Sequence, residues 1–136
     1  MSGNAELRVS CVTRPSSARI LRHALAAFLK TLAIEPDWAD DILTAVGEAL
    51  ANAIEHAYGG QASGEVELRA QLEASGTLIV SVSDRGRFVE RAPRPGRGFG
   101  LRIARAIART VTLDTTNGTQ IRMVFESDPD SNSVVC

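Results

Sequence analysis

The sequence predicts an α+β fold, a two-layer α/β sandwich in which a mixed, mostly antiparallel sheet carries helices on one face. Two stretches near the N-terminus have helical periodicity, and several shorter stretches alternate apolar and polar residues. Two turn signals, Ser75-Gly76 and Asn117-Gly118, join alternating stretches into hairpins. The resulting order is β-α-α-β-β-loop-α-β-β, and such runs of strands and helices are typical of an α+β domain.

The N-terminal half predicts one strand and two helices. Residues 7–13 alternate as a half-buried strand does, and Arg14-Pro15-Ser16-Ser17 ends the strand and offers an N-cap. The first helix is expected to end near Ala33, and the second to run from Pro36 to Tyr58, before a glycine pair. Expected core positions are Ile20, Leu21, Ala24, Phe28 and Leu32 in the first helix and Trp38, Ile42, Ala45, Ala49 and Ala53 in the second, with Leu50 and Ile54 beside them.

The C-terminal half predicts two hairpins separated by a loop and a short helix. Residues 65–72 and 77–83 form the first hairpin, and residues 111–115 and 119–125 form the second. Residues 84–100 are rich in glycine, proline and arginine and predict a loop, and residues 101–108 predict a helix. We expect residues 1–126 to form a single domain and residues 127–136 to be a disordered tail.

Composition excludes several classes of protein. The chain has 136 residues, 44% of them hydrophobic, and a formal net charge of -1, which disfavours direct binding of nucleic acid or a membrane surface. The N-terminus has no apolar segment of the kind found in signal peptides, and no apolar run is long enough to span a membrane. The two cysteines, Cys11 and Cys136, have no metal-binding spacing. A cytoplasmic protein is therefore expected.

The second helix carries a line of polar side chains, because Glu48, Asn52 and His56 stand four residues apart. A solvated helix face would explain the same pattern. However, the neighbouring residues are mostly alanines, which would let another group approach the helix closely.

Two later motifs are candidates for ligand contacts. Asp84 and Gly86 follow a strand, where they predict either a turn or a carboxylate that accepts a ligand amine. Gly96, Gly98 and Gly100 lead into a helix, where exposed backbone N–H groups suit a phosphate, although a flexible linker also contains glycines. A P-loop is excluded because the only lysine is Lys30, and the GxGxG spacing does not fit a Rossmann fingerprint.

Taken in order, these motifs resemble the N box and the three glycine boxes of the GHKL (Bergerat-fold) ATPases. The boxes are Glu48-x-x-x-Asn52, Asp84-x-Gly86, Gly96-x-Gly98-x-Gly100 and Gly118-Thr119. Within that superfamily, the segment from Glu48 to Tyr58 resembles the bacterial anti-sigma-factor serine/threonine kinases. The resemblance extends over residues 7–125.

The resemblance implies a role for each matching residue. Glu48 would be the general base, and Asn52 would bind Mg²⁺, which in turn holds the phosphates of ATP. Asp84 would accept the adenine amine, Gly86 would give the ring room, and Thr119 would support the adenine end. The phosphate loop would comprise Gly96, Arg97, Gly98, Phe99, Gly100 and Leu101. His56 is expected to make a structural hydrogen bond rather than to act in catalysis.

This sequence departs from the superfamily pattern in two ways. The first glycine box often reads Asp-x-Gly-x-Gly, but Arg87 and Phe88 follow Gly86 here, as is common in the anti-sigma group. The segment 87–95 would be a short lid. It is basic, and its arginines, together with Arg97, could contact the γ-phosphate, dock an acidic partner or serve only solubility.

The resemblance implies an ATP-dependent kinase that phosphorylates a STAS-type anti-anti-sigma protein and sequesters a sigma factor, a partner switch in transcription regulation during stress. A homodimer is common in the family. The alternative is a non-catalytic module that sequesters a regulator and uses ATP structurally or not at all. The catalytic domain of a histidine kinase is a third reading, disfavoured because no dimerisation helix pair with a phospho-accepting histidine is apparent; His23 is expected on a helix surface.

Overall fold

The computed structural model describes residues 5–59, 64–84, 101–116 and 118–126, with the side chains of residues 56–59 excepted. The elements are β1 (Ala5–Val12), α1 (Ser17–Thr31), α2 (Pro36–Gly59), β2 (Glu65–Leu72), β3 (Leu78–Asp84), α3 (Arg102–Ile107), β4 (Thr110–Asp114) and β5 (Thr119–Phe125). Every predicted helix and strand is present in the predicted order. The expected tail, residues 127–136, lies outside the described residues.

The strands form one sheet in the order β1-β2-β3-β5-β4. Each of the four pairings is antiparallel, so the parallel component expected from the sequence does not occur among the described strands. The reason is the position of β5. The chain crosses from β3 through α3 to the edge strand β4, and the last hairpin then returns β5 between them, antiparallel to both.

The helices cover one face of the sheet. Alternate residues of β2, β3 and β5 are buried beneath them, and the intervening residues form the opposite, more exposed face. The core unites the inward residues of the strands with the apolar sides of the helices, including Leu21, Leu25, Leu29, Ile42, Val46, Leu50, Leu68, Val80, Val82, Ile121, Met123 and Phe125. This arrangement confirms the predicted two-layer α+β architecture.

The inward face of α1 differs in part from the prediction. Leu21, Leu25 and Leu29 are buried at four-residue spacing, whereas Ile20 was expected in the core and has 53% of its surface exposed. One residue along a helix corresponds to a rotation of about 100°, so a stripe centred on Leu21 turns Ile20 toward solvent. The helix ends as expected, because Ala33 adopts a left-handed conformation with φ of 55°.

Helix α2 carries residues of the candidate site and is held by hydrogen bonds at its start and by core packing along its length. The Glu35 carboxylate accepts hydrogen bonds from the backbone N–H groups of Asp37 and Trp38 at the start of the helix. Among the α2 residues whose side chains are described, those buried in the core are Ile42, Ala45, Val46, Ala49, Leu50, Ala53 and Ile54. Trp38 is half-buried and meets Phe125 of β5 edge-on, with ring centroids 6.1 Å apart.

None of the helices in the described part of the chain is both long and apolar enough to cross a membrane.

Candidate functional site

Glu48 and Asn52 lie one turn apart on α2, and both are half-buried. The Asn52 side-chain Nδ2 donates a hydrogen bond to the backbone oxygen of Glu48 at 3.1 Å. This contact fixes the orientation of the carboxamide and leaves Oδ1 as its remaining acceptor. The predicted pair is therefore brought together on one side of the helix, with a carboxylate and an amide oxygen as its chemical groups.

The Glu48 carboxylate reaches beyond its own helix. Its Oε1 accepts a hydrogen bond from the backbone N–H of Ala104 at 2.9 Å. Ala104 is the third residue of α3, and its N–H is one of the amides that a helix start leaves without an internal partner. Leu101 occupies the N-cap position and has no side chain that could cap the helix. Glu48 therefore caps α3 from α2.

This contact has no direct signal in the amino-acid sequence. A helix that begins at an N-cap leucine, with no Ser, Thr, Asp or Asn at that position, lacks a local partner for its first amides. The missing N-cap side chain is the one sequence signal that these amides need a hydrogen-bond acceptor from another part of the chain. It does not identify Glu48 as the source.

Asp84 and Thr119 are brought together across the sheet. They are cross-strand partners in the β3–β5 ladder, and both side chains point to the face that the helices cover. Asp84 is only 6% exposed and Thr119 only 2% exposed. A carboxylate and a hydroxyl side by side at the end of a buried strand can recognise a hydrogen-bonding ligand, and α2 packs on both strands.

Gly118 directly precedes Thr119 at the start of β5. Gly118 has a positive φ of 84°, a conformation that glycine adopts without steric penalty. Leu101 also belongs to the predicted site, but its side chain lies in the core at the start of α3. A ligand contact from Leu101 would therefore come from its backbone.

The remaining predicted contacts stay predictions. Gly86 and the phosphate-loop residues Gly96, Arg97, Gly98, Phe99 and Gly100 lie outside the described residues, as do the lid 87–95 and the side chain of His56. His23 is on the exposed side of α1, as expected.

A contact near Glu48 was not anticipated from the sequence. Arg22 of α1 lies across α2 at Gly47, and its Nε donates a hydrogen bond to the backbone oxygen of Leu43 at 3.4 Å. A Cβ atom at Gly47 would lie 3.4 Å from the Cδ and Nε atoms of Arg22. The Arg22 side chain therefore passes at the near limit of van der Waals contact from a Cβ at position 47.

The side-chain oxygen of Asn52 suits a hard cation such as Mg²⁺ whose other ligands are phosphate oxygens and waters. Among the described residues, no group of three or more His, Cys, Asp or Glu side chains could hold a metal ion by itself. The oriented Oδ1 of Asn52 is a single neutral oxygen donor, and Mg²⁺ commonly takes one or two protein oxygens together with phosphates and waters. These residues thus fit a Mg²⁺ that arrives with a phosphate ligand.

Solved structures with this fold are known. The RsbU and RsbW domains of Rv1364c from Mycobacterium tuberculosis superpose with a TM-score of 0.71 at 23% identity, over 90% of this chain and 32% of that one. The chain thus spans about a third of that longer protein. The blue-light activated histidine kinase EL346 of Erythrobacter litoralis superposes with a TM-score of 0.59 at 26% identity, over 74% of this chain and 34% of that one.

The fold is that of the GHKL ATPases, as the sequence predicted. Residues 11–125 match the histidine kinase-like ATPase domain family, and the chain belongs to that family. Membership of an ATPase family implies that the chain binds ATP.

Anti-sigma factors are among the sequence relatives. The chain is 25% identical over 132 residues to the anti-sigma F factor of Clostridium botulinum (strain Eklund 17B / Type B), covering 87% of this chain and 92% of the relative. The anti-sigma F factor of Clostridium novyi (strain NT) is 27% identical over 136 residues, covering 90% and 94%. Blue-light-activated histidine kinase 2 of Erythrobacter litoralis (strain HTCC2594) is 38% identical over 77 residues, covering 54% of this chain and 22% of the relative.

Proposed function

We propose that this chain is an ATP-dependent serine/threonine protein kinase and an anti-sigma factor. It would phosphorylate a STAS-type anti-anti-sigma protein and sequester a sigma factor in the cytoplasm. The observation that carries the proposal is the pairing of Glu48 with Asn52 on α2, in a fold whose family binds ATP. The similarity to anti-sigma F factors over nearly the whole chain supports the choice of partners.

Two parts of the site would hold the nucleotide. Asp84, buried beside Thr119, would accept the adenine amine. The Oδ1 of Asn52 would bind Mg²⁺, which supplies neutralisation of phosphate charge when it is bound. The phosphates themselves would be held by the glycine-rich segment 96–100, including Arg97.

The proposed reaction needs a proton acceptor beside the phosphates. The oxygen of a Ser or Thr hydroxyl on the partner protein forms a bond to the γ-phosphorus as the bond from that phosphorus to the β–γ bridging oxygen breaks, and ADP leaves. The Glu48 carboxylate accepts the hydroxyl proton. Only one of its oxygens is needed for the contact with Ala104, so the other can take the proton.

The same contact favours a second candidate, a non-catalytic module that sequesters a regulator. Because Glu48 caps α3, an acid at this position has a structural role even without catalysis. The two candidates predict different fates for ATP: a kinase transfers its γ-phosphate, whereas a sequestering module binds ATP without turnover or does not bind it.

Phosphoryl transfer tests the first candidate directly. The protein is incubated with γ-labelled ATP, Mg²⁺ and a STAS-domain protein from the same organism. We expect label on a Ser or Thr of the STAS protein, abolished by Glu48→Gln and retained by Asp41→Asn. Asp41 is a matched control because it is an exposed carboxylate on α2, and its side chain makes no hydrogen bond or ion pair with another described residue. Absent transfer, or transfer that survives Glu48→Gln, contradicts the kinase proposal.

A thermal-shift series separates the two candidates at the binding step. We expect Mg-ATP to raise the melting temperature of the wild-type protein and to have little effect on Asn52→Ala, because ligand binding stabilises only the folded state. A shift without phosphoryl transfer supports the sequestering module that uses ATP structurally. No shift with the wild-type protein counts against both nucleotide-dependent readings.

A further inference from the structure

We propose that Glu48 is also a positioning residue, whose carboxylate fastens the first turn of α3 to α2. It would thereby hold Leu101, the last residue of the predicted phosphate loop, at the start of α3. The consequence for ligand binding rests on the proposed function, in which that segment holds the phosphates of ATP. The contact itself does not depend on it.

The first argument is the hydrogen-bond deficit at the start of α3. The initial amides of a helix have no internal acceptors, and Leu101 at the N-cap cannot supply one. Within the helix, Leu101 and Ala104 act as acceptors, since their carbonyl oxygens bond to the amides of Arg105 and Ala108. The Ala104 amide is satisfied from outside, by Glu48 Oε1 at 2.9 Å. A charged acceptor makes this one of the stronger classes of hydrogen bond.

The second argument is the small size of α3. It has six residues, far fewer than the length at which an isolated helix becomes stable, so α3 depends on its contacts with the rest of the domain. Its apolar contacts come from Leu101, Ala104 and Ala108, which are buried, and from Ile107, which packs against the core, whereas Ile103 is exposed. The hydrogen bond from Glu48 adds a directional contact between α2 and the first turn of α3.

The third argument concerns the position of α3 in the chain. Leu101 is both the N-cap of α3 and the last residue of the predicted phosphate loop. A carboxylate that holds the first turn of α3 therefore also holds Leu101 in place. The group that would accept the proton and the group that positions Leu101 are then the same side chain.

Hydrogen exchange of single amides tests the contact without nucleotide. Exchange of the Ala104 N–H is followed by NMR in the wild-type protein, Glu48→Ala, Glu48→Gln and the control Asp41→Ala. We expect Glu48→Ala to speed exchange on the order of 3- to 10-fold, the scale of a lost helix cap. Glu48→Gln retains an oxygen at the same place, so its exchange should lie much closer to the wild-type rate. Asp41→Ala should leave the rate unchanged.

Two comparisons make the result decisive. The buried amide of Val80 in β3 reports any general loss of stability, so the change at Ala104 must exceed the change at Val80. An Ala104 amide that exchanges equally in Glu48→Ala and wild type overturns the proposal. The proposal is also overturned if the Ala104 amide exchanges as fast in Glu48→Gln as in Glu48→Ala, because the accepting oxygen would then have no role.

The two Glu48 variants should differ in their affinity for ATP but not in phosphoryl transfer. Both Glu48 variants should lose phosphoryl transfer, but only Glu48→Ala should bind Mg-ATP more weakly, by roughly 3- to 10-fold. Glu48→Gln should stay within about twofold of wild type. Equal affinities for the two variants overturn the link from Glu48 to the phosphate loop. If even the wild-type protein binds no ATP, the proposed function fails, and the exchange experiment still tests the contact by itself.

Discussion

Replacing Gly47 with alanine should stabilise the domain, although Gly47 directly precedes Glu48. Glycine inside a helix is less favourable than alanine by roughly 1 kcal/mol, because it loses more backbone freedom on folding. The new Cβ would meet the Cδ and Nε atoms of Arg22 at 3.4 Å, the near end of ordinary contact distances. Arg22 is exposed, and its long hydrogen bond to Leu43 contributes at most about 0.5 kcal/mol. The net gain should be about 0.5 kcal/mol or more.

Urea unfolding measures this difference. Trp38 is the sole tryptophan and packs against Phe125, so its fluorescence reports loss of the core. The matched control is Arg22→Ala, measured alone and combined with Gly47→Ala. Without the arginine side chain the alanine meets nothing, and the full gain of roughly 1 kcal/mol should appear.

The double-mutant cycle also defines the result that refutes the reasoning. A Gly47→Ala protein less stable than wild type, with the gain restored in the Arg22→Ala background, would show that Arg22 is held rigidly and cannot give way. A loss of stability in both backgrounds would show that helix propensity does not govern this position. Either outcome would indicate that Gly47 is required for the close crossing of α1 and α2.

Two further predictions concern the core and the last hairpin. Phe125→Ala should lower the free energy of unfolding by roughly 3–5 kcal/mol and shift Trp38 emission to longer wavelength, because it removes a fully buried ring and the partner of Trp38. Phe125→Leu keeps most of the side-chain volume and should lower the free energy of unfolding by clearly less. Equal losses in the two variants would contradict the packing argument. Hydrogen bonds from the Thr116 hydroxyl and backbone N–H lower the pKa of Asp114. Its stabilising effect is therefore present above the unfolded-state pKa of about 3.9 and is lost as the pH falls through the folded-state pKa. The difference in stability between wild type and Asp114→Ala, followed by urea unfolding at decreasing pH, should narrow in that acidic range, and a constant difference would contradict the assignment.

The sequence predicts the local elements well, because their signals are local. The Asn117-Gly118 turn and the alternation after it define β5, whose bounds the structure confirms as Thr119–Phe125. The long α2 is equally clear from its periodicity and its N-terminal proline. The pairing of Glu48 with Asn52 follows from helical spacing alone.

The features that the sequence does not predict depend on contacts between distant segments. In α1, Ile20 and Leu21 are adjacent apolar residues. Only packing against α2 and the sheet decides that Leu21, Leu25 and Leu29 face inward while Ile20 is exposed. The hairpin signals do not reveal that β5 lies between β3 and β4. The Glu48–Ala104 hydrogen bond joins residues 56 positions apart and follows from the docking of α3.

The cross-strand pairing of Asp84 with Thr119 has a consequence for folding. The two residues lie on strands from different hairpins, so neither hairpin alone can assemble that end of the site. A ligand that touches both would bind only to the completely folded chain, and at 100 times its dissociation constant would stabilise it by about 2.7 kcal/mol. Ligand-dependent protection should therefore extend to β1 and β4, the strands that hold neither residue. A fragment that ends before β5 should not show it.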